Sequence, residues 1–426
     1  MQRARIAFLL LFAPAALAAQ EALRFHDVIR TAVSATPLVE AARARLQAAE
    51  ASRLTARTIP DPLATLWIEN LALPGRSSRG LDRETSTYVT LPLEFLYQRG
   101  PRTRIADEGI RAAEAELRSA RWLVALEAAR AFERVAVAQS VVDAAVDLRQ
   151  GLEELRTYNE TRVAEGATAE GELLRVQTEV DRAAIDEALA RAELARAWAE
   201  LRQFVPTAAA PAQPVTQRVV VEAGPLAVNG TPQLAELVER ARAQQPELAA
   251  ARARLDAARA AETYQRTLRV RQLGATLGTK RSGDETTLVA GISLPIPLFD
   301  RNRGEIARAA ADRIAAEHDL EWTERRITSR VEAARRAMEI LTAQLAALSP
   351  GLLSRAEESR QIALAAYREG AGTLVQVLDA ARASSDLRQT YYQALLAREQ
   401  GVLAIEEAVG ADDPVTVVNS LYGGPR

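Results

Sequence analysis

The sequence comes nearest to site chemistry in three places: Glu317-His318-Asp319, the acidic pairs Glu153-Glu154, Glu357-Glu358 and Glu406-Glu407, and the run from Gly274 to Lys280. Neighbouring residues on a helix point about 100° apart, so Glu317, His318 and Asp319 do not converge on one ion, and there is no HExxH spacing. The other histidine, His26, is remote in sequence. The acidic pairs are sequential and sit among other charges, so they read as solvated helix faces rather than acid–base couples. Gly274 to Lys280 superficially resembles a phosphate-binding loop but lacks the GxxxxGK spacing and alternates like a strand. No cofactor and no catalysis are expected.

The absence of cysteine excludes disulfides, thiolate metal sites, catalytic thiols and a lipidated N-terminal cysteine. A net charge of -2 with both signs interleaved leaves no electrostatic footprint for nucleic acid.

The elements that would carry any site are mostly helices. Aromatic residues are only 4%, and stretches such as Ala112 to Val137 contain mainly strong helix formers. Arg3 and Arg5, the apolar run Ile6 to Leu17 and Ala16-Leu17-Ala18 predict a signal peptide over 1–18. No later segment approaches about 18 consecutive apolar residues, so a helical membrane span is not expected.

The mature chain reads as one programme run twice. In the first repeat, 19–205, a short helix over 23–34 precedes one from Pro37 to Arg57. A β-hairpin follows, with strands at about 63–72 and 84–95, and Gly100-Pro101 closes it. Long helices over about 102–164 and 168–204 come next, with Thr168 reading as a cap. A Pro-rich connector, 206–232, reads as irregular. The second repeat, 233–410, has strands at about 269–279 and 286–298 and helices over about 302–368 and 373–409, disturbed at Pro350-Gly351; a tail, 411–426, ends the chain. Pro246-Glu247-Leu248 before Ala251-Arg252-Ala253-Arg254-Leu255 echoes Pro37-Leu38 before Ala42-Arg43-Ala44-Arg45-Leu46, and the turn at Glu369-Gly370 echoes Glu165-Gly166.

Each strand is about 10 residues long, enough to cross a bilayer when tilted, with an aliphatic face and a face of Thr, Ser, Gly and Gln. Four strands cannot close a membrane barrel, which needs at least about 8, so insertion demands oligomerisation. Three copies, giving twelve strands, leave an open lumen where two would not. Trp67, Tyr88, Phe95 and Tyr97 either anchor at the membrane interface or pack internally.

These features together resemble the TolC family of outer-membrane factors over essentially the whole mature chain. Ile59-Pro60-Asp61-Pro62 with Glu69-Asn70, Leu91-Pro92-Leu93 and Gly100-Pro101-Arg102 are similar to the heavy-metal cation efflux (CzcC-like) branch, as is Ile292 to Gly304 with its Leu294-Pro295-Ile296-Pro297 core. The resemblance implies a mainly α fold with a small membrane β part. Tandem-duplicated helical hairpins would form a periplasmic α-barrel, and four transmembrane strands per chain would contribute to a trimeric 12-stranded barrel. It implies a homotrimer in the outer membrane of a Gram-negative bacterium, in contact with lipid, working with a periplasmic adaptor (membrane fusion protein) and an inner-membrane RND pump.

The resemblance also assigns sites. Adaptor contact falls on the two turns, at Glu165, Gly166, Ala167 and Thr168, and at Glu369, Gly370, Ala371 and Thr373. The periplasmic gate falls on the helix after the second turn: Asp379 matches one gate aspartate, Gln376 replaces the other, and Gly372 stands where an arginine latches some closed forms. Independently of family, three copies of Asp379 around an axis would repel anions and hold cations or water; a lone chain would present it as an exposed helix carboxylate. Heavy-metal cations are the cargo the branch suggests. Drug efflux and type I protein secretion share the architecture, and a periplasmic coiled-coil scaffold would explain the helices but not the hairpins.

Overall fold

Helix formers with few β-branched residues run in long uninterrupted stretches, and they fold as long rods. The computed structural model describes residues 23–71, 80, 82–205, 219–220 and 233–411. The segment expected to be a signal peptide, the expected connector apart from Val219–Val220, the first hairpin tip at 72–79 and 81, and the tail beyond Ala411 lie outside the described residues. In chain order the elements are Leu23–Arg24 (β1), Phe25–Ala35 (α1), Pro37–Arg57 (α2), Leu63–Glu69 (β2), Glu84–Pro92 (β3), Phe95–Ala164 (α3) and Glu170–Leu201 (α4). Then come Val219–Val220 (β4), Leu234–Gln244 (α5), Pro246–Thr267 (α6), Gly274–Ser282 (β5), Glu285–Ser293 (β6), Arg303–Ala347 (α7), Pro350–Arg368 (α8) and Leu374–Val409 (α9). Pro37, Pro246 and Pro350 each sit in a first helical turn, where the missing N–H costs no helix bond.

α3 is 70 residues long, roughly 105 Å end to end. It begins at Phe95, ahead of the expected 102, and takes Gly100-Pro101 inside the helix rather than ending the hairpin there. A proline at 101 forfeits the bond to the Tyr97 carbonyl, yet tertiary bonds hold this first stretch in place. The Tyr97 hydroxyl donates to the Val270 carbonyl at 2.8 Å, Arg99 Nε to Arg57 O at 3.0 Å and Arg102 Nη2 to Thr58 O at 3.1 Å.

Other boundaries also differ from the sequence reading. The single helix expected over 302–368 is two, α7 and α8, separated at Leu348 and Ser349 ahead of Pro350. The connector contains β4, which pairs in parallel with β1, Leu23 against Val219. Two-residue strands carry no periodicity, so only the fold reveals them. Lys280, Arg281 and Ser282, expected in a loop, extend β5, because Gly283 at φ +59 lets Ser282 pair with Glu285 across a two-residue turn.

The sheet order is β2-β3-β5-β6, antiparallel throughout, so the two hairpins meet at a seam between β3 and β5. One face carries Thr65, Ser86, Tyr88, Thr90, Thr276, Gly278, Lys280, Thr287 and Ser293. The other carries Leu66, Val89, Leu91, Leu277, Leu288 and Ile292, all exposed. An exposed aliphatic sheet face would be unfavourable in water and is at home in lipid. At the seam Tyr88 stands opposite Gly278, where an added Cβ would lie 2.3 Å from the Thr87 carbonyl oxygen.

Beyond the sheet, α3 packs on α2, α4, α6 and α9, and alanines at 112, 113, 115, 125, 128, 129 and 131 are buried, which lets neighbouring helices come close. Three apolar clusters hold the rods together. One joins α1, α3 and α4, with Phe25 edge-on to Phe132 at 5.2 Å between centroids. A second joins α5, α6, α7 and α9, and a third, around Leu155, Val176, Tyr367 and Leu378, lies below the two long turns. α7 is anchored at its start by Asn302, buried at φ +56, whose Nδ2 donates to the Gln265 carbonyl at 2.7 Å.

Candidate functional site

A helix that must reverse within four residues needs a left-handed residue just past its end, and glycine adopts that conformation without a Cβ penalty. Gly166 (φ +70) and Gly370 (φ +78) fill this role. In the first turn Gly166 N–H bonds Val163 O at 3.0 Å and Ala167 N–H bonds Arg162 O at 2.8 Å; in the second, Gly370 bonds Tyr367 O at 3.1 Å and Ala371 bonds Ala366 O at 2.8 Å. Both are Schellman motifs. Glu165, Gly166 and Ala167, and Glu369, Gly370 and Ala371, are exposed at the tips, with Thr168 half-buried.

The restarts differ. Thr168 is not the cap of α4: Ala169 occupies that position without a side-chain bond, and the Thr168 hydroxyl instead donates to Glu172 Oε2 at 3.0 Å. Thr373, the equivalent of Ala169, closes a capping box on α9. Its hydroxyl accepts from Gln376 N–H at 3.4 Å, and its own N–H donates to Gln376 Oε1 at 2.9 Å. The Gln376 amide is thus engaged in the cap. At Gly372 a Cβ would meet Ala366 Cβ and Tyr367 N at 3.2 Å, so this position leaves no comfortable room for a side chain.

Asp379, one helical turn beyond Gln376, is exposed and faces Arg382 Nη1 at 3.6 Å. Arg382 also reaches across to α4, where its Nε donates to Glu179 Oε2 at 3.1 Å. Both residues line an open groove of about 580 Å³ between α3, α4 and α9, together with Asp186 and Asp386. Neither Glu179 nor Arg382 stands out in the sequence from the other charges on these helices. The separation of these two residues along the chain hides their contact, though the repeat places both one helical stretch past a turn.

A second group missed in the sequence binds the two turns together. The Tyr367 hydroxyl donates to Asn159 Oδ1 at 2.6 Å and lies 3.3 Å from Glu172 Oε2; Asn159, fully buried, donates to Leu155 O at 2.9 Å. Tyr158 meets the Tyr367 ring edge-on, and the Arg162 guanidinium lies 5.7 Å from both ring centroids. Burial and the nearby Glu172 carboxylate push the Tyr367 hydroxyl above its ordinary range. Lone aromatics at unlike positions of the two repeats gave no signal that they would meet.

Higher on the same helices, Glu357 ties α8 to α9. It accepts from Arg360, from Gln361, from Ser384 Oγ at 3.2 Å and from Arg388 Nη2 at 2.8 Å, and the Arg360 guanidinium above all lowers its carboxyl to about 2. Glu133 on α3 is the opposite case. It is buried with no hydrogen-bond partner on either oxygen, and burial, reinforced by Glu399, pushes its carboxyl well above the usual carboxylate range. His318 lies exposed on α7, 3.6 Å from Glu321.

Known proteins resemble this chain both in sequence and in fold. A chain called nickel-cobalt-cadmium resistance protein NccC, from Alcaligenes xylosoxydans xylosoxydans, is 30% identical over 319 residues, spanning 72% of this chain and 68% of that one. The chain belongs to the outer membrane efflux protein family. The profile described as "Outer membrane efflux protein" matches residues 237–411, most of the second repeat. Cobalt-zinc-cadmium resistance protein CzcC from Cupriavidus metallidurans is 24% identical over 87% of this chain and 86% of its own. Among solved structures, CusC superposes with a TM-score of 0.73 at 17% identity, covering 91% of this chain and 92% of that one. The CmeC outer membrane channel of Campylobacter jejuni gives 0.76 at 14% identity, over 93% and 89%. This outer membrane efflux protein is mostly helical and shares the fold of the solved CusC and CmeC structures.

Proposed function

We propose that three copies of this efflux protein form a continuous duct, a 12-stranded barrel in the outer membrane above an α-barrel in the periplasm, that releases heavy-metal cations. The observation that carries the reading is the sheet: four strands, an exposed aliphatic face and free edges at β2 and β6. A free edge in lipid leaves backbone groups unpaired at several kcal/mol each by rough reckoning, so the strands require further copies to close.

The internal repeat supports the same arrangement for the helices. Within the chain α3 packs on α6 and α9. The second-repeat counterpart of α3 is α7 with α8, and the counterparts of α6 and α9 are α2 and α4. α7 and α8 leave Trp322, Ile340 and Ile362 exposed, while α2 and α4 leave Leu54, Leu174, Ile185 and Leu189 exposed. A neighbouring copy supplies the missing contact and continues the ring.

The energy for export comes from a partner pump of the RND type, joined through a periplasmic adaptor that meets the exposed tips Glu165 to Ala167 and Glu369 to Ala371. Three copies of Asp379 ring the periplasmic entrance and favour cations, with Arg382 and Glu179 fixing the helix that carries them. Metal as cargo is supported by relatives whose names record resistance to cobalt, zinc, cadmium and nickel. The test is survival of a deletion strain, with and without the gene, across a panel of divalent metals and drugs. Loss of resistance confined to metals is expected; loss confined to drugs overturns the cargo.

A further inference from the structure

Resting on the three-copy reading, we infer that β6 of one copy pairs with β2 of the next in one specific register, with Ser293 opposite Thr65 and Gly291 opposite Trp67. The likeness of the two hairpins and the pairing at the β3–β5 seam fix this register. Ala64-Thr65-Leu66 recurs as Ala275-Thr276-Leu277, an offset of 211 residues, and Thr90-Leu91-Pro92 recurs as Ser293-Leu294-Pro295, an offset of 203. The two hairpins obey both offsets at once: Leu63 pairs with Thr90 in the first, and Gly274 pairs with Ser293 in the second. β2 is therefore equivalent to β5, and β3 to β6, residue by residue.

The seam between β3 and β5 joins repeat one to repeat two. A closed ring of alternating repeats has a second kind of seam, from β6 to the next copy's β2, which repeats the first under these offsets. At the internal seam Thr90 faces Thr276, their hydroxyls 2.9 Å apart; the equivalents are Ser293 and Thr65, again two hydroxyls. Tyr88 faces Gly278 internally; the equivalents are Gly291 and Trp67, so the ring and the glycine have exchanged strands. The Leu93 N–H bonds Leu273 O at 2.6 Å just past the internal ladder, and its equivalent is Ile296 N–H to Pro62 O.

Shape supports this register over its neighbours. A shift by one residue would turn the polar face of β2 toward the aliphatic face of β6. A shift by two would keep the faces but set Trp67 against Val289 or Ser293 instead of the one residue on that face of β6 without a side chain. Trp67 is 55% exposed in the single chain and Gly291 has nothing near its absent Cβ, so both are available to each other. An aromatic ring laid over a cross-strand glycine covers the backbone that glycine leaves bare.

The absence of native cysteine makes the test direct. The double variant Thr65→Cys/Ser293→Cys, expressed in outer membranes and oxidised, is expected to give covalent trimers on a denaturing gel that reductant reverses. The two-residue-shifted pairs Thr65→Cys/Gly291→Cys and Trp67→Cys/Ser293→Cys are expected to link about tenfold less, because their Cβ atoms are too far apart for a disulfide. Thr90→Cys/Thr276→Cys closes within one chain and serves as the folding control. Preferential linking of a shifted pair overturns the register while leaving the trimer intact, as does failure of all inter-chain pairs in a protein that still elutes from detergent as a trimer. A detergent monomer with no inter-chain link and an intact control overturns the three-copy reading itself.

Discussion

The hydroxyl of Tyr367 on α8 lies 2.6 Å from Oδ1 of the fully buried Asn159 on α3, which binds the second turn to the helix leading into the first. The two tips of one chain are thus tied together, so a motion that separates them has to break this bond.

Removing that hydroxyl with Tyr367→Phe leaves the ring contacts and deprives Asn159 Oδ1 of its donor, while Nδ2 keeps its bond to Leu155 O. A loss of about 1 kcal/mol is expected, and about 1 to 3 for Asn159→Leu, which leaves the hydroxyl only its longer contact with Glu172. Thermal unfolding of the detergent-solubilised channel measures the loss, and single-channel recordings are expected to show higher conductance if the clasp restrains the tips.

At the internal seam Gly278→Val places carbon atoms where the Thr87 carbonyl and Tyr88 backbone already are, the nearest only 2.3 Å from an added Cβ. The β3–β5 pairing fails, and the heat-resistant band of the folded protein is expected to disappear from outer-membrane fractions. Gly109→Ala on α3, where an added Cβ meets nothing within 4 Å, is the contrast: it is expected to raise stability by about 0.5 to 1 kcal/mol through helix propensity.

Glu357 predicts an acid-sensitive contact between α8 and α9. Its folded carboxyl titrates at about 2 against an ordinary 4.5, so its contribution is complete above pH 4.5 and is lost as pH falls toward 2. Between pH 5 and pH 2.5 the unfolding midpoint of the natural protein is expected to drop further than that of Glu357→Gln, measured by circular dichroism.

Glu133 runs the other way. Its folded carboxyl is raised, so the native state holds the proton more tightly than the unfolded chain, and stability falls as pH rises above 4.5 until the buried group has itself ionised. Glu133→Gln removes that decline and is expected to raise the unfolding midpoint at neutral and alkaline pH; an unchanged pH profile would contradict it.

Asp379→Asn is expected to reduce the preference for cations over anions in planar bilayers, read as a shift in reversal potential under a salt gradient. Arg382→Ala frees both Asp379 and Glu179 from their shared cation and is expected to move the potential the opposite way.

Much of the fold was legible because it rests on periodicity. The two-faced alternation of the strands and glycines 166 and 370 just past helix ends are local signals, set by steric and solvent preferences a few residues wide. The boundary errors come from contacts and tight turns that composition does not show. Pro101 ordinarily stops a helix, and here bonds from Tyr97, Arg99 and Arg102 to residues far along the chain keep the helix going. Lys280 to Ser282 look like a loop by composition and become strand because Gly283 turns within two residues.

The order of long helices and short strands and the likeness to the efflux family were readable along the chain, because local patterns need no knowledge of what touches what. Tertiary structure alone decided which side chains meet: Tyr367 with Asn159, Arg382 with Glu179, Tyr88 across Gly278, and Glu133 left without a partner. Those pairings join residues scores to hundreds apart, and they depend on how long rods cross and how strands register, which no window along the chain contains.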